Sequence, residues 1–586
     1  MTISRAEIAL ALAATLFAGA AAAQSPEAKP ASSPPQGLAG SPSPPPSDFH
    51  DTRVSAPIEV NALGSPDGPP AGLFDPTNGG LAGDIWSGSD RATIEAMLAR
   101  VPLATPVYAV RSLARRLVLT VADAPVGQAP HAFQTVRLRA LLSAGLVAEA
   151  AKLAMQVQLK DDPEFARVQA EAILLGGTAA DACSNATAAR ETNTEPFWLQ
   201  LRAYCYGAGG QKDLFDLTRG VMKAEGSDDR AFAVLLDDAL AHKTLPPGEM
   251  HDPTAVELFL LWQVGLPVST AFAARFGEAA SVVALHDAKN TPMVRADAAA
   301  QALHTGWLSS TDLGAVADAQ VFTPQQLANA ENAAVGLPFF LGQALIRQAV
   351  AQAPDDEAKA RLLSVALRAG RQMQALAVSV RMQQTALAPI APGPRFHAYV
   401  ATFARALLLA RQPDAAERWR ESLDAGSDAD HPLSAALAVE LNLVAPNPGR
   451  AQRAQAALTW LAQNAASLQP QDGPDEARYD AVAVAVCDAL GEALPPGVST
   501  APILAQKWPG RVIPPAMRKK LDELRGQETR KGEALLTILD MVGALGPGDL
   551  SPDAAAYVVR YLKSEGETDA ARLFAIDALL LYQPQS

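Results

Sequence analysis

Apolar residues recur at helical spacing through most of this chain, and Asp355–Asp424 shows the pattern most plainly. Leu363, Ala366 and Leu367 mark one face ahead of Gly370, and Met373, Leu376, Ala377 and Val380 follow at i, i+3, i+4 and i+7. Phe396, Val400, Phe403 and Leu407 repeat the spacing, and after a turn at Arg411-Gln412-Pro413 come Ala415, Trp419 and Leu423. The spacing predicts four helices in two hairpins, with breaks at Gly370 and at Arg411. One amphipathic helix cannot bury its own stripe, whereas stacked hairpins can. Composition agrees: hydrophobic residues make up 49% but aromatics only 5%, with alanine and leucine dominant and few β-branched runs, which favours helix. The expected fold is all-α, an α-solenoid of stacked antiparallel hairpins.

The two ends read differently. Residues 1–23 have the order of a signal peptide: Arg5, an apolar run from Ile8 to Ala18, and Ala21-Ala22-Ala23 as a small-residue cleavage site before Gln24,. The run is shorter than the roughly 20 residues a spanning helix needs, so cleavage is expected rather than anchoring. Together with an alanine-rich, arginine-over-lysine composition that reads as bacterial, this predicts a periplasmic or secreted protein. Residues 24–50 include Ser41-Pro-Ser-Pro-Pro-Pro-Ser47 and read as a disordered proline-rich tether. Residues 51–89 read as an extended arm. Its Leu73, Phe74, Leu81, Ile85 and Trp86 can pin it to the first helices or dock it onto another protein, and intramolecular packing is the favoured expectation. A helical repeat domain is expected over 90–490, with Asp90 as an N-cap, then a Pro/Gly-rich linker over 491–515 and a small helical module over 516–586.

The turns share a spacing. Gly145-x4-Ala150 recurs as Gly370-x4-Ala375 and Gly566-x4-Ala571, and with arginine for glycine as Arg411-x4-Ala416. A glycine ends one helix and a small residue lets the next approach. This resembles the turn pattern of tetratricopeptide-like repeats. The resemblance covers these hairpins, omits the family's fuller Trp, Tyr and Pro pattern, and implies a right-handed superhelix with a concave surface. It carries over no functional residue.

Export makes the three cysteines informative. Cys183 and Cys205 fall on two neighbouring predicted helices, Ala179–Arg190 and Glu195–Tyr206, joined by a short loop. A disulfide between them is expected, contributing about 3 kcal/mol in the chain-entropy model. Cys487, in the run Ala481-Val-Ala-Val-Ala-Val-Cys487, is expected to be a buried, inert thiol.

Net charge is −14 and the pI near 5.1, which argues against a nucleic-acid binder. Two small basic groups, Arg111 with Arg115 and Arg116, and Arg518-Lys519-Lys520, read as solvated helix faces. No phosphate loop, Gly-x-Gly-x-x-Gly, Gly-x-Ser-x-Gly, Ser-x-x-Lys, His-Glu-x-x-His or Cys-x-x-Cys occurs, so no cofactor, metal or catalytic residue is assigned. His242 and His251, beside Glu249 and Asp252, read as ordinary loop polarity. His286, Asp287 and His304 have no visible partners. Asp161, Asp162 and Glu164, Asp355-Asp356-Glu357, and Asp553 stand at helix starts, where capping and the helix dipole account for them. Asp237-Asp238 reads as a pair with one member in solvent, and Asn185-Ala186-Thr187 as a chance glycosylation match. The chain therefore reads as a non-catalytic exported scaffold that binds a protein or cell-envelope partner on its concave face. The alternative is a cell-wall enzyme on a helical frame, as in soluble lytic transglycosylases, although the Glu-Ser start of their catalytic domain is not found. A regulator of wall-building enzymes is a special case of the first reading.

Overall fold

A recurring helix end organises the hairpins. At Gly145 and Gly566 the backbone takes positive φ, +80° and +78°, and the next amide reaches back five residues, Leu146 N to Leu141 O at 2.9 Å and Glu567 N to Leu562 O at 2.9 Å. This bond satisfies a carbonyl that the helix end leaves open and turns the chain into the next helix. The same bond forms from Gln412 to Leu407 at 2.9 Å and from Ala375 to Gly370 at 2.7 Å. There the left-handed residues are Arg411 (φ 58°) and Gln374 (φ 53°), which pay a steric cost that glycine avoids.

The last case corrects an expectation. Gly370 does not break its helix, which runs from Asp356 to Gln372. A side chain at Gly370 would collide with Ser379 Oγ, so this glycine allows close approach to the helix Leu376–Leu387. Met373 lies past the helix end and is 60% exposed, outside the apolar stripe.

The computed structural model describes residues 67–581 except 160–161, 189–192, 228, 242–253, 265–274, 287–291, 307, 424–429, 468–473, 493 and 495. The expected signal peptide at 1–23, the tether at 24–50 and residues 51–66 of the arm lie outside the described residues. Those described are all-α, with isolated β-bridges and no strand. No helix among them is long and apolar enough to cross a membrane.

Residues 67–89 pack onto the chain's own helices. Leu81, Ile85 and Trp86 are buried. Asp67 accepts from Arg91 Nη1 at 2.7 Å and Phe133 N at 2.6 Å. Arg137 lies fully buried and donates to the carbonyls of Ala71, Val118 and Thr120. Trp86 fits where a side chain at Gly532 would collide with its ring, and Gly532 N donates to Ile85 O at 3.0 Å.

The arm thus joins the first helices to the last ones. The helix Tyr108–Leu119 packs against Lys531–Val542 and Thr568–Leu580. Thr105 Oγ1 donates to Ala544 O at 2.6 Å, and Ala109 N to Asp577 Oδ2 at 2.9 Å. The last two helices, Pro552–Ser564 and Thr568–Leu580, also pack on Pro474–Leu490. Burying these apolar faces, at about 25 cal/mol per Å², closes the chain on itself.

Cys183 and Cys205 form a disulfide with Cα atoms 5.5 Å apart, linking Ala179–Ala188 to Pro196–Ala208. Cys487 is buried, and burial pushes its thiol up to about 12. Denatured protein purified without reductant is accordingly expected to take up one alkyl group per chain, and three after reduction, by intact mass. Equal uptake in both arms would mean that the bond is absent. A second expectation concerns the turn at Gln374, an exposed residue. Gln374→Gly should raise the denaturation midpoint, by about 0.5–1 kcal/mol once its extra unfolded-state freedom is set against the left-handed strain it removes.

Candidate functional site

One cleft gathers positive charge at the place where the chain closes. Its volume is about 710 Å³, and its wall carries Arg111, Arg115, Arg116 and Arg381 against a single glutamate, Glu149. Three of the arginines come from the helix Tyr108–Leu119, where a spacing of one turn puts Arg111 and Arg115 on the same side. Arg381 comes from the helix Leu376–Leu387. The arm supplies Phe74 and Asn78, and the turn ahead of the helix Ser310–Asp318 supplies Gly306 and Leu308.

The four guanidinium groups are held in two ways. Arg115 Nη2 pairs with Glu149 Oε1 at 3.0 Å and lies 4.9 Å from the Phe74 ring centroid. Arg116 pairs with Glu567 and donates to Gly79 O at 2.6 Å. Arg111 and Arg381 instead converge on Gly306 through neutral carbonyls. Arg111 Nη1 donates to Thr105 O at 3.0 Å. Arg381 donates to Gly306 O at 2.8 Å and Leu308 O at 2.6 Å. Its Nε is buried without a hydrogen-bond partner, and no carboxylate among the described residues forms an ion pair with it.

Burial lowers the pKa of Arg111. Burial, and then repulsion from Arg111, brings Arg381 down to about 10, so both stay charged at neutral pH. Two cations therefore stand on one wall and repel each other, and Asp577 acts favourably on Arg111. At the rim, Tyr108 is 48% exposed. Its ring lies 5.6 Å from the Arg111 guanidinium and 5.2 Å from that of Arg411.

The reading of Arg111, Arg115 and Arg116 as a solvated face is corrected here, because all three line this cleft. Arg381 and Tyr108 were not singled out from sequence, and Arg411 was read only as a turn residue. Arg381 did carry a signal, since it interrupts the apolar run Ala377-Val-Ser-Val-Arg-Met382. The other basic group behaves as expected: Arg518 pairs with Asp553 at 2.6 Å, Lys520 with Glu533 at 3.0 Å, and Lys519 stays exposed near Glu523.

The acidic clusters act at helix starts. Asp162 accepts from Phe165 N at 2.9 Å and Ala132 N at 2.7 Å, and Asp355 accepts from Ala358 N at 2.8 Å. Asp90 likewise caps its helix through Thr93 N at 2.9 Å. Asp237 is exposed beside Arg219, and Asp238 is buried. Asp161, His242, Glu249, His251, Asp252 and Asp287 lie outside the described residues, as do the side chains of Asn185, His286 and His304. Among the described residues no group of three or more His, Cys, Asp or Glu is placed to hold a metal ion.

A second polar cluster is sealed inside the fold. Arg405 Nε meets Glu440 Oε1 at 2.9 Å, Tyr479 donates to the same oxygen at 2.6 Å, and Glu440 is wholly enclosed. Burial opposes the charge on Arg405, but Glu440 outweighs it and the pKa rises. With the Glu440 carboxylate enclosed and held by both partners, this cluster braces the fold.

No protein-family model matches the chain, and no curated protein or solved structure matches it.

Gly306 is the residue that permits the arginine pair. Its φ is +69°, and a side chain there would collide with Arg111 Nη1 and Thr105 O. Gly306→Ala is expected to destabilise by about 1–2 kcal/mol from the backbone alone, with more from the displaced arginine. Gly336→Ala, where a side chain would meet open space, is the control and should stay within roughly 1 kcal/mol of the parent. Equal denaturation midpoints for the two variants would contradict this geometry.

Proposed function

We propose that this chain is a non-catalytic, exported helical-repeat scaffold, an α-solenoid of tetratricopeptide-like hairpins. It binds a protein or cell-envelope partner and receives an anionic group of that partner in the arginine cleft. The observation that carries the reading is charge segregation. A chain of net charge −14 places four arginines against one glutamate in one concavity. A cleft of one sign with low-dielectric walls focuses the field and draws in the opposite charge. The hairpin reading is supported by the shared turn at Gly145, Gln374, Arg411 and Gly566.

The alternative, a wall-cutting enzyme on a helical frame, calls for a carboxyl group free to hand a proton to the bond being broken. Glu149, the one carboxylate on the cleft wall, is engaged with Arg115. That arrangement suits an anchor better than a proton donor. A regulator of wall-building enzymes remains a special case of the scaffold.

Proximity labelling in the native envelope tests the proposal. The parent protein is expected to enrich a reproducible partner, and the Arg111→Glu, Arg381→Glu double variant is expected to lose it by tenfold or more at equal abundance. Failure of the parent to enrich any partner, or equal enrichment by the variant, defeats the reading. Purified protein is also expected to release no soluble fragments from peptidoglycan. Release that disappears on changing a single Glu would put the wall-enzyme alternative in its place.

A further inference from the structure

We infer that the cleft takes a single carboxylate of a protein partner, from an acidic side chain or a free C-terminus, and that Arg381 is the cation that receives it. This deepens the preceding proposal and rests on it for the cleft being where an anionic group of the partner is bound.

The charge of the group follows from how the arginines are matched. Arg115 is paired with Glu149 and Arg116 with Glu567. Arg111 has Asp577, which acts on it favourably from within the last helix. Arg381 differs from these three. Among the described residues its partners are the neutral carbonyls of Gly306 and Leu308, and the charge that acts on it is the repelling one of Arg111. One unmatched positive charge calls for one negative charge, which a carboxylate supplies. A phosphate monoester brings close to two, and the second would meet Glu149 on the same wall.

The aim of Arg381 is set before anything binds. A guanidinium carries five N–H donors in a planar fork. Two are spent on the carbonyls, which fix the plane of the group on the cleft wall. Donors remain on its terminal nitrogens, and a carboxylate can accept two from such a fork at once. Because the side chain is already positioned, little of its freedom is lost on binding. The space suits a peptide segment around the carboxylate. At about 710 Å³ it far exceeds a lone carboxylate. Tyr108, half exposed beside Arg111 and Arg411, offers a ring face at the mouth, and Phe74 offers another on the wall, backed by Arg115. Ring faces of this kind pack against apolar side chains flanking the acid. Ser112 and Ser310 add hydroxyl groups that can meet peptide N–H and C=O groups,.

Binding of the full chain to immobilised pools of randomised short peptides, read by interferometry, tests it. One pool is amidated and holds no acidic residue, and a second is amidated with one fixed Asp. A third has a free C-terminal carboxylate and no acidic residue, and a fourth is amidated with one fixed phosphoserine. At least one carboxylate pool is expected to bind tenfold or more tightly than the uncharged pool. Preference for the second pool indicates a side-chain source, and preference for the third a C-terminal one. Arg381→Met should cost at least tenfold, and Arg381→Lys, which keeps the charge but loses the fork, should fall between. Arg518→Met, outside the cleft, should leave binding unchanged. Raising the salt from about 0.05 to about 0.5 M needs no variant and should weaken binding by the parent several-fold. The inference is overturned if neither carboxylate pool gains tenfold over the uncharged one, or if the phosphoserine pool binds tenfold more tightly than both. Binding that Arg381→Met and Arg381→Lys leave intact, while their melting curves match the parent, overturns it too. Partner capture in the envelope without carboxylate-pool binding would retain the scaffold and remove only this inference. Carboxylate-pool binding without a captured partner would do the reverse.

Discussion

The closure of the chain rests on a carboxylate. Asp577, buried in the last helix, accepts the amide of Ala109 at the start of the helix Tyr108–Leu119, 468 residues away. Burial pushes its pKa up, while the Ala109 amide, Arg411 and Arg111 pull the other way. The bond meets an open donor at a helix N-terminus, where negative charge is favoured. It also fixes the position of the helix that carries Tyr108, Arg111, Arg115 and Arg116. Arg116 makes a second tie to the same end of the chain through Glu567, and Trp86 against Gly532 makes a third through the arm. The cleft exists because these distant segments are held together.

Three arginines show how the fold separates internal bracing from the wall of a cleft. Arg405 is neutralised by Glu440, whose carboxylate is enclosed. Arg137 has no carboxylate but is surrounded by acceptors, with the carbonyls of Ala71, Val118 and Thr120 and the Gln134 side chain sharing its donors. Burial alone brings it down to about 10. Its donors are spent on the arm, so it serves as a staple. Arg381 uses the same carbonyl device, yet leaves Nε without a partner, repels Arg111 and lines an open cleft. Its hydrogen bonds hold it on the cleft wall.

The local parts of this arrangement were legible in the sequence and the long-range parts were not. Helical stripes located the helices because burial enforces a period of 3.6, and Cys183 and Cys205 could be paired because a short loop joins their helices. Gly370 misled because a glycine marks either a turn or a tight contact, and only the position of Ser379 decides which. Gln374, with no visible mark of a turn, takes the left-handed conformation instead. Arg111, Arg115 and Arg116 have the spacing of a solvated face. What makes them a cleft is Arg381, Gly306, Glu149 and the arm, and no local pattern announces contacts across hundreds of residues.

The site and the closure share elements, and this couples them. The cleft wall draws on the arm at Phe74 and Asn78, the helix at Tyr108, the turn at Gly306 and the helix of Arg381. The arm and the first helix are in turn fastened to the last helices by Asp577, Glu567 and Gly532. Repulsion between Arg111 and Arg381 works against that assembly. By linkage, a ligand that bound there would stabilise the closed chain in proportion to its occupancy, and a change that loosened the seam would weaken such binding without touching the ligand. The residues of the arm from 67 on and the helices Lys531–Val542 and Thr568–Leu580 are therefore as much a part of this cleft as the arginines that line it.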